Sequence, residues 1–170
     1  MTEKVVLGVE AEVRRALENL CIPRPQFSFL RASFGDGNPH IEVFDDRIFW
    51  VSSERGAELF RILVDEDELF FLAMEIQTRR MAQDEELRTR THFPATGARR
   101  FLGLGPKPKF RDDYSRATWI EAHVRLMGAV RPYWAERIAS KYREVLRRYP
   151  LTPEEHKHTR RLSLTMFGLD

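Results

Sequence analysis

Four consecutive acidic residues, Asp65 to Glu68, stand directly before a run of large apolar side chains. Carboxylates in such density can hold a hard metal ion or transfer protons. A metal site draws its ligands from separate elements, however, whereas consecutive residues point in different directions around a helix start. Asp65 followed three residues later by Glu68 has the spacing of a helix-capping box. We therefore predict that a helix begins here, not a metal or catalytic site.

The histidines and the cysteine also fail to form a recognisable catalytic motif. His156 and His158 are two residues apart and would not share a helix face. His123 falls on the apolar side of a predicted helix, where we expect a hydrogen-bonded, half-buried side chain. Cys21 is the only cysteine, which excludes an intramolecular disulfide and a thiolate metal cluster. We predict no catalytic, metal or cofactor site and no enzymatic activity. A hydrolase is the remaining alternative, and it would use Asp112, Asp113 and His123.

One basic segment has the composition of a nucleic-acid-binding surface. Residues 99–111 mix five basic side chains with two phenylalanines, which is the combination of phosphate contacts and stacking faces that single strands favour. The alternative is a solvated loop whose phenylalanines anchor it to the core. A nucleic-acid-binding accessory protein would use Arg99, Arg100, Phe101, Lys107, Lys109, Phe110 and Arg111.

Composition and charge indicate a globular protein of uneven charge. The 170 residues are 42% hydrophobic and 32% charged. No apolar run reaches the roughly 18 residues of a membrane span, and the acidic N-terminus does not resemble a secretory signal. We therefore predict that the protein is cytoplasmic and does not associate with a membrane. Residues 1–98 hold 12 basic and 18 acidic side chains, whereas residues 99–170 hold 16 and 8. Such asymmetry can steer a charged partner.

The periodicity predicts an α+β fold. Helical spacing covers residues 8–21, and candidate strands follow at residues 26–34, 40–46 and 47–53, with a possible fourth at 57–64. We predict a small antiparallel sheet of three to four strands, about residues 26–64, packed with four helices. The longest helix covers about residues 65–90. Another runs from about Asp113 to Met127 and closes at Gly128, and Pro132 opens the last. Residues 1–151 form one predicted domain, and residues 152–170 form a C-terminal tail.

Five sequence segments follow one another in a distinctive order. A hairpin ending in SSERGAE, the segment DEDEL, the helix with RRMAQDEELR and the segment DDYSRATW occur in that order. The helix PYWAERIASKYREVLRRYPL follows. This order resembles the immunity protein 63 family of bacterial polymorphic toxin systems, over about residues 44–151. Its most specific parts are Glu54-Arg55-Gly56, the group Asp113, Ser115, Arg116 and Trp119, and the helix from Trp134 to Pro150.

The resemblance implies a small cytoplasmic protein that binds one cognate toxin domain and blocks it, without a cofactor. It implies partner contacts at Glu54, Arg55, Asp113 and Arg116. An acidic side around Glu75, Asp84, Glu85 and Glu86 would suit a basic toxin. The sequence leaves open whether the protein is a monomer or a homodimer.

Overall fold

The computed structural model describes residues 2–93 and 111–169, and it confirms the α+β class. The chain divides into two compact units, Met1–Gln77 with Thr165–Asp170, and Thr78–Leu164. The first unit contains α1 (Thr2–Asn19), β1 (His40–Phe44), β2 (Arg47–Glu54), β3 (Ala57–Val64), the first half of α2 (Glu66–Thr89) and the 3-10 turn Thr165–Phe167. The second contains the rest of α2, β4 (His92–Phe93), β5 (Arg111–Asp112), α3 (Arg116–Val130), α4 (Pro132–Arg148) and α5 (Pro153–His158).

Strands β1, β2 and β3 form an antiparallel sheet in that order, joined by two tight hairpins. Asp45 and Asp46 in the first turn have φ angles of 49° and 55°, and Arg55 and Gly56 in the second have 51° and 83°. Two successive residues at positive φ give the backbone twist that matches the flanking strands. The predicted antiparallel sheet is therefore confirmed for these three strands, with two-residue turns between them.

The strand predicted at residues 26–34 is wrong. One backbone bond links it to β1, from the Ile41 N–H to the Leu30 carbonyl at 2.9 Å. Other backbone groups bind side chains of α1: the Phe29 N–H donates to Glu10 Oε1 at 3.0 Å, and the Phe27 carbonyl accepts from Arg14 Nη1 at 2.7 Å. The Phe29 ring packs edge-on against Trp50 of β2, with 6.1 Å between centroids. This extended segment therefore contributes to the core and meets β1 at one hydrogen bond, without forming a strand.

The start of α2 follows the capping prediction. Asp65 precedes the first helical residue, and its Oδ1 accepts a hydrogen bond from the Glu68 backbone N–H at 2.8 Å. The bond satisfies one of the donors that a helix start leaves unpaired. The four acids therefore serve a helix terminus.

The second unit is built on the packing of α3 against α4. Gly128 lies inside α3, so the prediction that it closes the helix is wrong. A Cβ at this position would come within 3.1 Å of the Ala135 Cβ, which explains the glycine by close helix approach. His123 is fully buried, not half-buried, and its Nδ1 lies 2.8 Å from the Tyr142 hydroxyl.

None of the described helices combines the length and apolar character needed to cross a bilayer. In residues 2–93 and 111–169, no three His, Cys, Asp or Glu side chains converge in a way that could hold a metal ion.

Candidate protein-interaction surface

Strand β3 is an edge strand that exposes large apolar side chains. Seven of its eight residues are exposed, and only Val64 is buried. Leu59, Phe60, Ile62 and Leu63 expose 56%, 38%, 42% and 59% of their surface. Among the described residues no strand pairs with the outer edge of β3. A long apolar edge of this kind is a template for pairing with another chain.

The exposure follows from the sheet register. Ile41, Trp50 and Ile62 stand opposite one another on three adjacent strands, so their side chains share a face. Ile41 and Trp50 are 2% and 6% exposed, whereas Ile62 is 42% exposed. The core of the first unit therefore covers β1 and β2 on this face but leaves most of β3 uncovered.

A bulge interrupts the pairing of β3 with β2 at Leu59. Ser52 pairs with Phe60 and Ser53 with Glu58, so Leu59 is an extra residue without a partner on β2. Bulges turn side chains away from the regular alternation and are common at sheet edges. Beyond the bulge, the register is regular from Phe60 to Val64.

Arg61 projects to the opposite face and is paired with two carboxylates. Arg61 lies 2.9 Å from Glu42 and 3.0 Å from Glu58, and its guanidinium sits 5.6 Å from the centre of the Phe49 ring. Hydrogen bonds from His40 and then from Arg61 lower the pKa of Glu42, and the bond to Glu42 raises the pKa of Arg61. The only basic residue of β3 is thus held by two carboxylates of its own sheet.

Exposed acids stand at both ends of β3. Glu54 and Glu58 lie at its start, and Asp65 and Glu66 follow its end. We call these four residues the acidic rim, and we call the rim together with Leu59, Phe60, Ile62 and Leu63 the β3 surface. The rim reflects the charge of the whole first unit, which holds 8 basic and 16 acidic side chains.

An open cleft of about 520 Å³ adjoins the end of the strand. Its apolar wall includes Val5, Ile48, Leu63 and Val64, and Thr2 also lines it. Asp46, Asp65 and Glu66 also line it, together with Arg47. Asp46 Oδ1 accepts a hydrogen bond from the Thr2 hydroxyl at 2.8 Å. A Lys or Arg side chain suits such a cleft, because its stem can pack on apolar atoms while its charge meets carboxylates.

Two of the predicted contact residues lie at or beside this surface. Glu54 ends β2 and belongs to the acidic rim, and Arg55 follows it in the β2–β3 turn; their side chains are 49% and 90% exposed. They lie directly beside the apolar edge.

The predicted acidic side on α2 is mostly buried. Glu75, Glu85 and Glu86 are 6%, 4% and 1% exposed, and Asp84 is exposed. Glu85 accepts two hydrogen bonds from Arg88, and Glu86 lies 2.6 Å from Arg90. A buried carboxylate that is paired within its own chain presents little surface to a partner, so Asp84 is the residue of this group that a partner can reach.

The remaining two predicted contacts hold the second unit together. Asp113 pairs with Arg160 at 2.9 Å. Arg116 donates to both carboxylate oxygens of Glu155 and to the carbonyls of Tyr149 and Pro150. The hydrogen bond from Arg116 is the main reason that the pKa of Glu155 falls to about 2.

The residues of the hydrolase alternative each have a structural partner. Asp112 pairs with Arg90 at 3.4 Å, Asp113 pairs with Arg160, and His123 contacts Tyr142. These partners give each side chain a role in holding elements of the second unit together.

Most of the predicted nucleic-acid segment lies outside the described residues. This applies to Arg99, Arg100, Phe101, Lys107, Lys109 and Phe110, and also to the side chain of Arg111. The backbone of Arg111 pairs with that of Phe93 in the short β4–β5 ladder.

The apolar part of the β3 surface was missed at the sequence level, although a signal exists. The segment AELFRILV places large apolar residues at both odd and even positions, which is unusual for a strand with one solvated face. Such a strand is either buried on both faces or open to a partner. Sequence alone does not distinguish these two cases.

Comparison with known proteins gives one match. Residues 45–144 match the family described as Immunity protein 63, which is more than half of the chain and includes β2, β3, α2, α3 and most of α4. No curated protein and no solved structure matches the chain.

Proposed function

Because this chain belongs to the immunity protein 63 family, we propose that it binds a cognate bacterial toxin domain and neutralises it by direct contact through the β3 surface. It acts in the cytoplasm as a one-to-one binder and needs no catalysis. The family membership supplies the class of partner, and the β3 surface supplies a place for that partner to bind.

The observation that carries the proposal is the apolar edge strand within the family-matched region. Four half-exposed apolar side chains lie on one continuous strand, flanked by acids. Burying the remainder of each contributes roughly 1 kcal/mol. An apolar centre with a polar rim is the arrangement of protein interfaces in general. Such a surface accounts for inhibition by occupancy alone.

The predicted contact residues fall into two groups according to their exposure. Glu54, Arg55 and Asp84 are proposed to touch the toxin. Glu75, Glu85, Glu86, Asp113 and Arg116 are proposed to act indirectly, by fixing the helices and connections that carry the exposed residues.

A lysine at Leu63 is expected to abolish protection. Leu63→Lys places a charge at the C-terminal end of the apolar edge, and we expect toxin affinity to fall roughly 30-fold, or about 2 kcal/mol. Growth of cells that express the toxin domain encoded beside this gene would measure protection, and calorimetry would measure affinity.

Leu87→Lys is the matched control, because Leu87 is 56% exposed on α2 and Leu63 is 59% exposed. The control is expected to protect as well as the unaltered chain. Equal protection by both variants would refute the β3 surface as the binding site.

Nucleic-acid binding is a second candidate, favoured by the charge of the second unit. This unit holds 20 basic and 10 acidic side chains, and the count includes those of residues 99–111. If this function holds, affinity for a single-stranded oligonucleotide falls steeply between 50 and 200 mM salt, by on the order of 10³-fold for six phosphate contacts. Arg100→Ala and Phe101→Ala are expected to weaken it. Undetectable binding at low salt would exclude the candidate.

A further inference from the structure

We propose that the partner adds a β-strand to the outer edge of β3, and that basic side chains flank the added strand. The inference rests on the proposed function, because it specifies how the toxin domain engages the β3 surface. It defines the partner by chemistry: a protein with an accessible extended segment, apolar along its length and rich in Lys or Arg at its ends.

The backbone of β3 is available for this pairing. Alternate N–H and C=O groups of an edge strand point away from the sheet and can hydrogen-bond a further strand. Natural edges are commonly blocked by proline, by lysine or by an inward-pointing charge. Residues 57–64 contain neither proline nor lysine, and Arg61 is held by Glu42 and Glu58. The bulge at Leu59 disturbs one end, but five residues from Phe60 onward keep regular register.

The side chains favour an added strand over a contact on one face. Phe60 and Ile62 project to the face that carries Trp50, whereas Leu63 shares the other face with Phe49. A partner that packed on one face would leave the apolar groups of the other face exposed. A strand placed alongside β3 contributes side chains to both faces, because successive residues of a strand alternate.

The acidic rim determines the charge of the partner. Acids at both ends of the strand attract a segment with basic residues at its ends, whether it runs parallel or antiparallel to β3. The cleft beyond Leu63, which Asp46, Asp65 and Glu66 line, accepts one such basic side chain. Opposite charges across an interface speed association and exclude unsuitable partners.

The same charges disfavour a second copy of this chain. In a two-fold antiparallel pair of β3 strands, Glu58 of one copy approaches the end of the other strand, where Asp65 and Glu66 stand. A register centred on Arg61 places that residue opposite its own copy. Like charges directly opposite one another destabilise a sheet. A different protein with basic flanks therefore fits the edge better.

A short labelled peptide provides the first test. The probe has alternating Val and Ile with two Lys at each end, and the matched probe has two Glu at each end. We expect the unaltered chain to bind the basic probe at least about tenfold more tightly at low salt, and Leu63→Lys, but not Leu87→Lys, to weaken that binding. Equal affinity for the two probes, or absence of binding, would overturn the proposal.

Amide hydrogen exchange measured by NMR identifies the mode of binding. Strand addition slows exchange at every second residue of β3, because only the outward N–H groups gain a partner. Slowed exchange at consecutive residues, or at another element, would overturn strand addition.

Proline substitutions at Phe60–Leu63 test strand addition by mutation. Proline at positions whose N–H points outward leaves the β2–β3 ladder intact, so those variants fold. These variants are expected to lose binding to both the basic probe and the toxin domain. A folded proline variant that retains full binding would contradict strand addition.

These outcomes separate the inference from the proposed function. If the toxin domain binds and Leu63→Lys has no effect, strand addition is wrong and immunity stands. If the toxin domain does not bind and the peptide does, the proposed function is wrong and the edge is still a strand acceptor. If sedimentation reveals a dimer that Leu63→Lys dissociates, a second copy occupies the edge and the proposal is wrong.

Discussion

Replacing Trp134 with Ala is expected to lower the free energy of unfolding by about 3–5 kcal/mol. Trp134 is 2% exposed in the first turn of α4 and is among the largest buried side chains of the described residues. Its ring lies 5.0 Å from the Arg131 guanidinium. The substitution removes a large apolar volume and leaves a cavity beside the first turn of α4. Urea denaturation followed by circular dichroism measures the loss.

Tyr133→Ala is the matched control for this prediction. Tyr133 is the adjacent aromatic residue, is 63% exposed and accepts a hydrogen bond from Arg131 at 3.0 Å. Its removal is expected to cost less than about 1 kcal/mol, as is usual for a surface substitution. Similar losses from both variants would contradict the placement of Trp134 in the core of the second unit.

Replacing Arg116 with Ala is expected to cost about 2–3 kcal/mol at pH 7, the second largest effect. Arg116 joins the start of α3 to Glu155 and to the carbonyls of Tyr149 and Pro150. The substitution leaves the carboxylate of Glu155, a residue 7% exposed, without its cation. Arg148→Ala is the control, because Arg148 is 69% exposed and pairs with Glu144 on the helix surface. We expect a cost below about 0.5 kcal/mol for the control.

The same pair gives a dependence on pH. The pKa of Glu155 in the folded protein is about 2, below the ordinary glutamate value of 4.5. A lowered pKa stabilises the fold above the ordinary value, and this contribution disappears as the pH falls from 4.5 through 2. In Arg116→Ala the pKa of Glu155 rises, so the cost of the substitution is expected to shrink between pH 7 and pH 3. A cost that is identical at both pH values would contradict the ion pair as the source of stability.

The parts of the fold that follow local rules were predictable from sequence. Asp65 and Glu68 identify the start of α2 because capping needs a particular residue type at a particular spacing. Pro132 identifies the start of α4 because proline fits the first helical turn. The hairpins follow from apolar runs separated by two-residue turns.

The parts that depend on distant partners were not predictable. Residues 27–29 alternate like a strand, but Glu10 and Arg14 of α1 take their backbone groups. Glycine commonly ends a helix, but Gly128 lies inside α3, where its lack of a Cβ lets Ala135 of α4 approach closely. Nothing local distinguishes the exposed Asp84 from the buried Glu85 and Glu86, because burial depends on which helix face is covered.

The candidate surface was also predictable from the sequence only in part. Glu54 and Arg55 were identified from the family resemblance, whereas Leu59 and Leu63 required the sheet order, since only an edge strand leaves them exposed. A central strand with the same sequence would have buried them. Sequence therefore identified the turn beside the surface, and the fold identified its apolar centre.

A calorimetric titration of the purified chain with the polymorphic toxin domains encoded in the same genome tests the central claim most directly. We expect one-to-one binding with a dissociation constant on the order of nanomolar, weakened by added salt and by Glu58→Lys, but unchanged by Glu18→Lys on α1. Absence of heat at micromolar concentrations, together with continued killing of cells that express both proteins, would contradict the claim that this protein acts by occupying a toxin.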